Sequence, residues 1–157
     1  MSENDLGLLR RAIALAQSAR ERGNHPFGAL LADAQGNILL EAENTVLTER
    51  DITGHAELNL VREVAHHFSP EQLALCTLYA STEPCAMCAG AIHWANIGRL
   101  VYALSGTSLM AMIGADPSHL ELPCREVFAR SEQPIEVLGP LIEDEATVVQ
   151  VGFWRQA

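Results

Sequence analysis

The stretch STEPCAMCAG, residues 81–90, sets two cysteines three positions apart directly after a proline. Ahead of it, residues 77–81 form a short apolar run that reads as a strand. Glu83-Pro84 then opens a helix carrying Cys85, Cys88, Ile92 and Ala95. A thiol pair at such a junction serves as a redox couple, a structural zinc clasp or half of a catalytic metal site. Redox pairs of this spacing use the helix start to lower one thiol pKa, whereas zinc needs further ligands elsewhere in the chain.

Outward from this stretch, strands and helices alternate. Leu6, Leu9, Ile13 and Ala16 recur at helical spacing and Gly23-Asn24 supplies a stop, so residues 4–22 read as an amphipathic helix with Arg10, Arg11, Arg20 and Arg22 on its polar face. Residues 27–32 and 38–43 flank the turn-rich Asp33-Ala34-Gln35-Gly36-Asn37 and predict a hairpin. A second helix enters through Asp51-Ile52-Thr53-Gly54, begins with His55 and Glu57, and ends before Pro70. Leu58, Val61, Ala65 and Phe68 line one of its faces. Beyond the cysteine helix the sequence predicts a strand at 100–104, a loop with a short helix up to residue 129, a strand near 135–138 and a helix from Glu143. With no repeat or linker, the order predicts a single domain over residues 1–157. Its class is α/β, a three-layer α/β/α sandwich around a mixed sheet of roughly five strands.

Composition narrows the function. A chain of 157 residues can bury roughly 70% of its unfolded surface without disulfide staples. No apolar run approaches the ~20 residues of a membrane span, and Met-Ser-Glu-Asn-Asp does not read as a signal peptide. A cytoplasmic protein is expected, its four cysteines serving as thiols or metal ligands. Ten basic residues against 20 acidic give a net charge of -10, which disfavours a nucleic-acid partner. All ten basic residues are arginines, so no lysine exists for a Schiff base or a P-loop.

The decisive constellation joins the two helix starts. In a regular helix, residues two apart point about 200° away from each other, so His55 and Glu57 share a site only at a helix start, where Thr53-Gly54 puts them. One histidine and two thiolates make three protein ligands, the number that leaves the fourth position of zinc open to water. A closed structural site needs a fourth ligand. Cys76, on a predicted strand, and Cys124, after Pro123, read as small packed residues. His66-His67 read as a solvated helix end, and His25, His93 and His119 as isolated. One catalytic Zn2+ per chain on His55, Cys85 and Cys88 is the expectation. Helix N-termini favour thiolate, and such a zinc brings water to a pKa near ~7. Glu57 is not needed as a ligand and stands ready to move the proton of that water to the substrate. Without the cysteines it would read as an ordinary helix-start carboxylate.

His55-Ala56-Glu57 followed by Pro84-Cys85-Ala86-Met87-Cys88 resembles the signature of the zinc cytidine-deaminase-like superfamily. Pro26-Phe27-Gly28-Ala29, Asn44, Thr82-Glu83-Pro84-Cys85, Gly90-Ala91-Ile92 and Gly98-Arg99 extend the likeness. It is greatest to the branch of bacterial guanine deaminases, fungal cytosine deaminases and tRNA adenosine deaminases. The resemblance implies zinc on His55, Cys85 and Cys88, Glu57 as proton shuttle, and Asn44 and Ala56 among the substrate contacts. The Asn44 amide, able to donate and accept, would hydrogen-bond the base; alone it would read as a turn residue. Phe27 matches an aromatic near the base or sits in the core. Trp94 resembles the guanine deaminase pattern at its helix and is a candidate pocket wall. Asp116, the one acidic residue of 105–117, stands where guanine deaminases carry base-contacting acids, or is a solvated loop residue. Phe153 and Trp154 lie over the pocket, as the C-terminal segment of the family does, or pack a terminal helix. The end of the chain, Val151-Gly152-Phe153-Trp154-Arg155-Gln156-Ala157, lacks the basic, aromatic tail of the tRNA adenosine deaminases.

These readings imply hydrolytic deamination of a free nucleobase or related amino-heterocycle, a small molecule reacting with water to release ammonia. Guanine or another aminopurine ranks ahead of cytosine, and the resemblance implies a homodimer. The alternatives are a tRNA adenosine or nucleoside deaminase, disfavoured by the charge, and a non-catalytic structural zinc module, disfavoured by the ligand count.

Overall fold

Ser2 starts the first helix by accepting the backbone N–H of Asp5, whose carboxylate in turn accepts the N–H of Ser2, a reciprocal cap. The computed structural model describes residues 1–133 and 135–154. Its first half runs α1 (Glu3–Glu21), β1 (Gly28–Ala32), β2 (Ile38–Glu43), α2 (Val46–Glu49), α3 (Ala56–His67) and α4 (Pro70–Leu73). The second half runs β3 (Thr77–Thr82), α5 (Ala86–Trp94), β4 (Arg99–Leu104), α6 (Gly106–Ile113), α7 (Cys124–Phe128), β5 (Glu136–Leu138) and α8 (Glu143–Val148).

The five strands lie in the order β2-β1-β3-β4-β5, antiparallel from β2 to β3 and parallel from β3 to β5. β1 and β3 are buried along their whole length because helices cover both faces, which is why GALLA and TLYAST carry no polar alternation. Side chains still alternate between two cores. Ala29, Leu31, Leu78, Ala80, Leu100 and Tyr102 pack with Leu60 and Val64 of α3, Ala89 and Ile92 of α5, and Phe128 of α7. Leu30, Ala32, Tyr79, Val101 and Ala103 face Leu9, Ala12 and Ala16 of α1 and Ala146 of α8. This is the predicted three-layer mixed sandwich. Gly28 marks a close approach of α1 to the sheet: a Cβ there would meet Leu15 Cβ at 2.5 Å and Ala12 O at 2.6 Å.

Two expectations need correction. The buried stripe of α3 is Ala56, Glu57, Leu60, Val61 and Val64, whereas Leu58 is only partly covered and Ala65 is exposed. The helix is turned so that Glu57 faces inward with its ligand neighbour, a constraint that hydrophobic spacing alone does not carry. The region after β4 holds two helices instead of one. The first backbone amides of both, Gly106 and Cys124, donate to the two oxygens of Glu83 at 3.0 Å each. Pro123 cannot cap α7 with its side chain, so the cap comes from a residue 41 positions away.

Asp5 also ties α1 to the sheet. Its carboxylate, in a residue only 4% exposed, takes a bidentate pair from Arg99 at 2.9 and 3.0 Å and the Tyr79 hydroxyl at 2.6 Å. The Arg99 hydrogen bonds above all hold the Asp5 carboxyl well below the usual carboxylate range, while burial and then Asp5 push Tyr79 up to about 12. A carboxyl whose folded pKa lies below its unfolded value adds stability above about pH 4 and loses it as pH falls further. Asp5→Asn is therefore expected to lower unfolding free energy by ~2–4 kcal/mol at neutral pH. The gap from wild type should narrow toward pH 3 in denaturant titrations; a constant gap would refute the linkage.

Candidate metal and catalytic site

His55 is the N-cap of α3 and Cys85 the N-cap of α5, both with extended backbone at φ -70° and -69°. Neither side chain caps its own helix, the usual use of that position, so both project from the helix mouth. His55 Nδ1 lies 3.5 Å from Sγ of Cys85 and 3.5 Å from Sγ of Cys88. The three donor atoms fall within 4.8 Å of one another, and no other such cluster occurs among the described residues. The turn that delivers His55 is tight. Asp51 Oδ1 accepts the Thr53 amide and hydroxyl, and Asn59 Nδ2 donates to Glu43 O and Thr45 Oγ1, fastening α3 to the end of β2.

An imidazole nitrogen and two thiols in one half-buried cluster fit zinc by donor chemistry. The hydrogen bond from Cys88, and then His55, draws the Cys85 thiol well down, while the bond to Cys85 and burial push Cys88 up. A divalent cation held there would favour thiolate on both by displacing protons. Glu57 is buried beside them. Burial, and next the negative charge of Cys85, push its carboxyl up to about 7.

Around this centre the predicted residues divide. Ala56 is fully buried in the α3/α5 core, so only its backbone amide, the first of the helix, is free of an intrahelical partner. Asn44, 1% exposed, donates its backbone N–H to Phe27 O at 3.1 Å while its Oδ1 accepts the Val46 amide at 3.0 Å. Phe27 continues the register that pairs Ala29 with Ala80, which sets it opposite Thr82, on the face and at the end of the sheet where Cys85 follows. Trp154 packs on Phe27 with ring centroids 6.0 Å apart and on Phe153 at 4.8 Å. Arg155, Gln156 and Ala157 lie outside the described residues.

Two predicted residues stand apart from this cluster. Trp94 is 84% exposed on the last turn of α5, about 13 Å along the helix from Cys85, where its ring meets that of His93. Helix length, not residue type, keeps it from walling the site within this chain. Asp116 is exposed, and its Oδ1 is taken up by the amide and hydroxyl of Ser118 in its own turn.

Two residues escaped the sequence reading. His25, read as isolated, sits half-buried against Trp154, Phe153 and Phe27 at centroid distances of 5.3, 5.7 and 6.5 Å. Burial, and then the nearby His55, hold its pKa below the usual value. Gln150 is fully buried and bonds both Pro26 and Trp154. Only the NHPFG sequence hinted at His25, and nothing local hinted at Gln150.

The profile of the cytidine and deoxycytidylate deaminase zinc-binding region matches residues 2–104. A probable cytosine deaminase of Schizosaccharomyces pombe is 42% identical over 156 residues, covering 98% of this chain and 94% of its own. A guanine deaminase of Bacillus subtilis is 40% identical over 113 residues, 71% of each chain. Among solved structures, one from a study of tRNA:A34 deaminases superposes with a TM-score of 0.65 at 27% identity, over 92% of this chain and 99% of the other. No helix among the described residues is long and apolar enough to cross a membrane.

Proposed function

The chain belongs to the cytidine and deoxycytidylate deaminase zinc-binding family, and we propose that within it the protein hydrolytically deaminates a free nucleobase. His55, Cys85 and Cys88 would hold the zinc. When bound, zinc supplies a Lewis acid that makes water nucleophilic near neutral pH. Glu57, whose carboxyl is pushed up to about 7, takes the two protons of the attacking water in turn and passes the first to the ring nitrogen and the second to the departing amino group. A carbon–oxygen bond forms at the amino-bearing ring carbon, the carbon–nitrogen bond breaks, and ammonia leaves. Asn44 and the first amide of α3 hold the ring edge, and Phe27 supplies a flat apolar surface. These residues stand at one end of the sheet.

The observation that carries the free-base reading is the aromatic turn laid on Phe27, which narrows the room beside that ring. The net charge of -10 adds no affinity for phosphates. Cytosine takes first place among bases. Trp94 and Asp116, which favoured guanine, stand away from the site, and the relative matched over 98% of the chain is named a probable cytosine deaminase. Guanine is second, favoured by the Bacillus subtilis relative. Ammonia release by the zinc-loaded protein should be measured on cytosine, guanine, adenine, isoguanine, the matching nucleosides and a tRNA anticodon arm. A free base is expected to lead every nucleoside by at least ~10-fold in kcat/KM. Activity confined to the anticodon arm would overturn the reading. A homodimer, implied by family resemblance, is the expected outcome of sedimentation equilibrium.

A further inference from the structure

Gln150 is 1% exposed, and both ends of its amide are used. Nε2 donates to Pro26 O at 2.7 Å, and Oε1 accepts the Trp154 indole N–H at 2.7 Å. Its orientation is fixed by its partners: a proline carbonyl can only accept and an indole N–H can only donate, so a flipped amide would lose both bonds. Through this one side chain the residue before Phe27 and the ring stacked on Phe27 are tied to a common point. A second restraint acts from α1. Arg20 Nη1 donates to Val149 O at 3.0 Å and Val151 O at 2.7 Å, and its guanidinium lies 5.7 Å from the Phe153 ring centre. The segment carrying Trp154 is thereby held on two sides, with its rings against Phe27 and His25.

We propose that Gln150 is the positioning residue that sets the size limit of the pocket. By fixing Trp154 over Phe27 it closes the site to a sugar on the ring nitrogen, so that the enzyme accepts a base and rejects its nucleoside. This rests on the free-base reading above. Gln150 does not touch the reacting atoms; it acts through the ring it holds.

The test compares wild type, Gln150→Leu, Trp154→Phe and the double variant, all zinc-loaded, on cytosine and cytidine, and on guanine and guanosine. Gln150→Leu keeps the volume but leaves the Pro26 carbonyl and the Trp154 indole unpaired. It should raise KM for the base about tenfold, change kcat by less than about threefold, and shift the nucleoside-to-base ratio of kcat/KM upward by about tenfold. Adding Gln150→Leu to Trp154→Phe should cost less than in wild type, because the shared hydrogen bond is already gone. In a Trp94→Phe background Trp154 is the sole tryptophan, and its emission should move to longer wavelength when Gln150 is replaced. A red-shifted Trp154 with an unmoved nucleoside-to-base ratio overturns the proposal and leaves the free-base reading standing. A wild type that prefers the nucleoside overturns both. Should Gln150→Leu fail to fold, Trp154→Phe removes the same hydrogen bond from its other end and must shift the ratio in the same direction.

Discussion

Replacing Glu57 by glutamine is expected to lower kcat by ~10²- to 10⁴-fold while zinc content stays at one per chain. The amide keeps the length and volume of the carboxylate but cannot accept a proton. Glu57 is buried, and its carboxyl is pushed up to about 7 by burial and the Cys85 charge. A group poised there can take and return protons near neutral pH. Free-base binding should survive, so a calorimetric titration of the variant with cytosine separates lost chemistry from lost recognition. Turnover within tenfold of wild type would return Glu57 to the role of a dipole-compensating residue at a helix start.

Cys88→Ala should remove the metal. Partners that merely orient a ligand are worth ~10- to 100-fold in metal affinity, so losing a direct ligand should exceed that, leaving the purified variant with little zinc and no measurable turnover. The same substitution makes stability independent of metal. Chelation should lower the melting temperature of wild type and leave that of Cys88→Ala unchanged, since only a bound ligand stabilises by linkage. Cys76→Ala and Cys124→Ala are the controls. Both thiols are buried, and the three donors at the metal centre do not include them. Full zinc occupancy in Cys88→Ala by metal analysis would overturn the ligand set.

The metal centre was legible because zinc imposes donor types and spacing that few other functions share. His55 and Cys85 could be placed at helix starts from Thr53-Gly54 and Glu83-Pro84 alone, and both prove to be N-caps. The strands of the sheet were equally legible from apolar runs between turn residues. What failed depended on distance through space. The buried face of α3 follows Glu57 turning inward, which Leu58 and Ala65 gave no means to foresee, and where Trp94 and Asp116 stand relative to the metal centre is set by the segments that carry them. Glu83 reaches a partner 41 positions away and Gln150 one 124 positions away, so no local pattern announces them. His25 needed three aromatic neighbours from two parts of the chain before it meant anything.

The residues that match the family end with β4 at Leu104, and the turn that Gln150 holds lies wholly beyond them. On the proposal above, one control on substrate size therefore lies outside the matched stretch, tied back to it at Pro26 by a hydrogen bond spanning 124 positions. A lineage could open or close the site to a sugar through changes late in the chain while its donors and proton carrier stayed fixed. Descent with a constant reaction and a shifting diet is what such a division of labour permits.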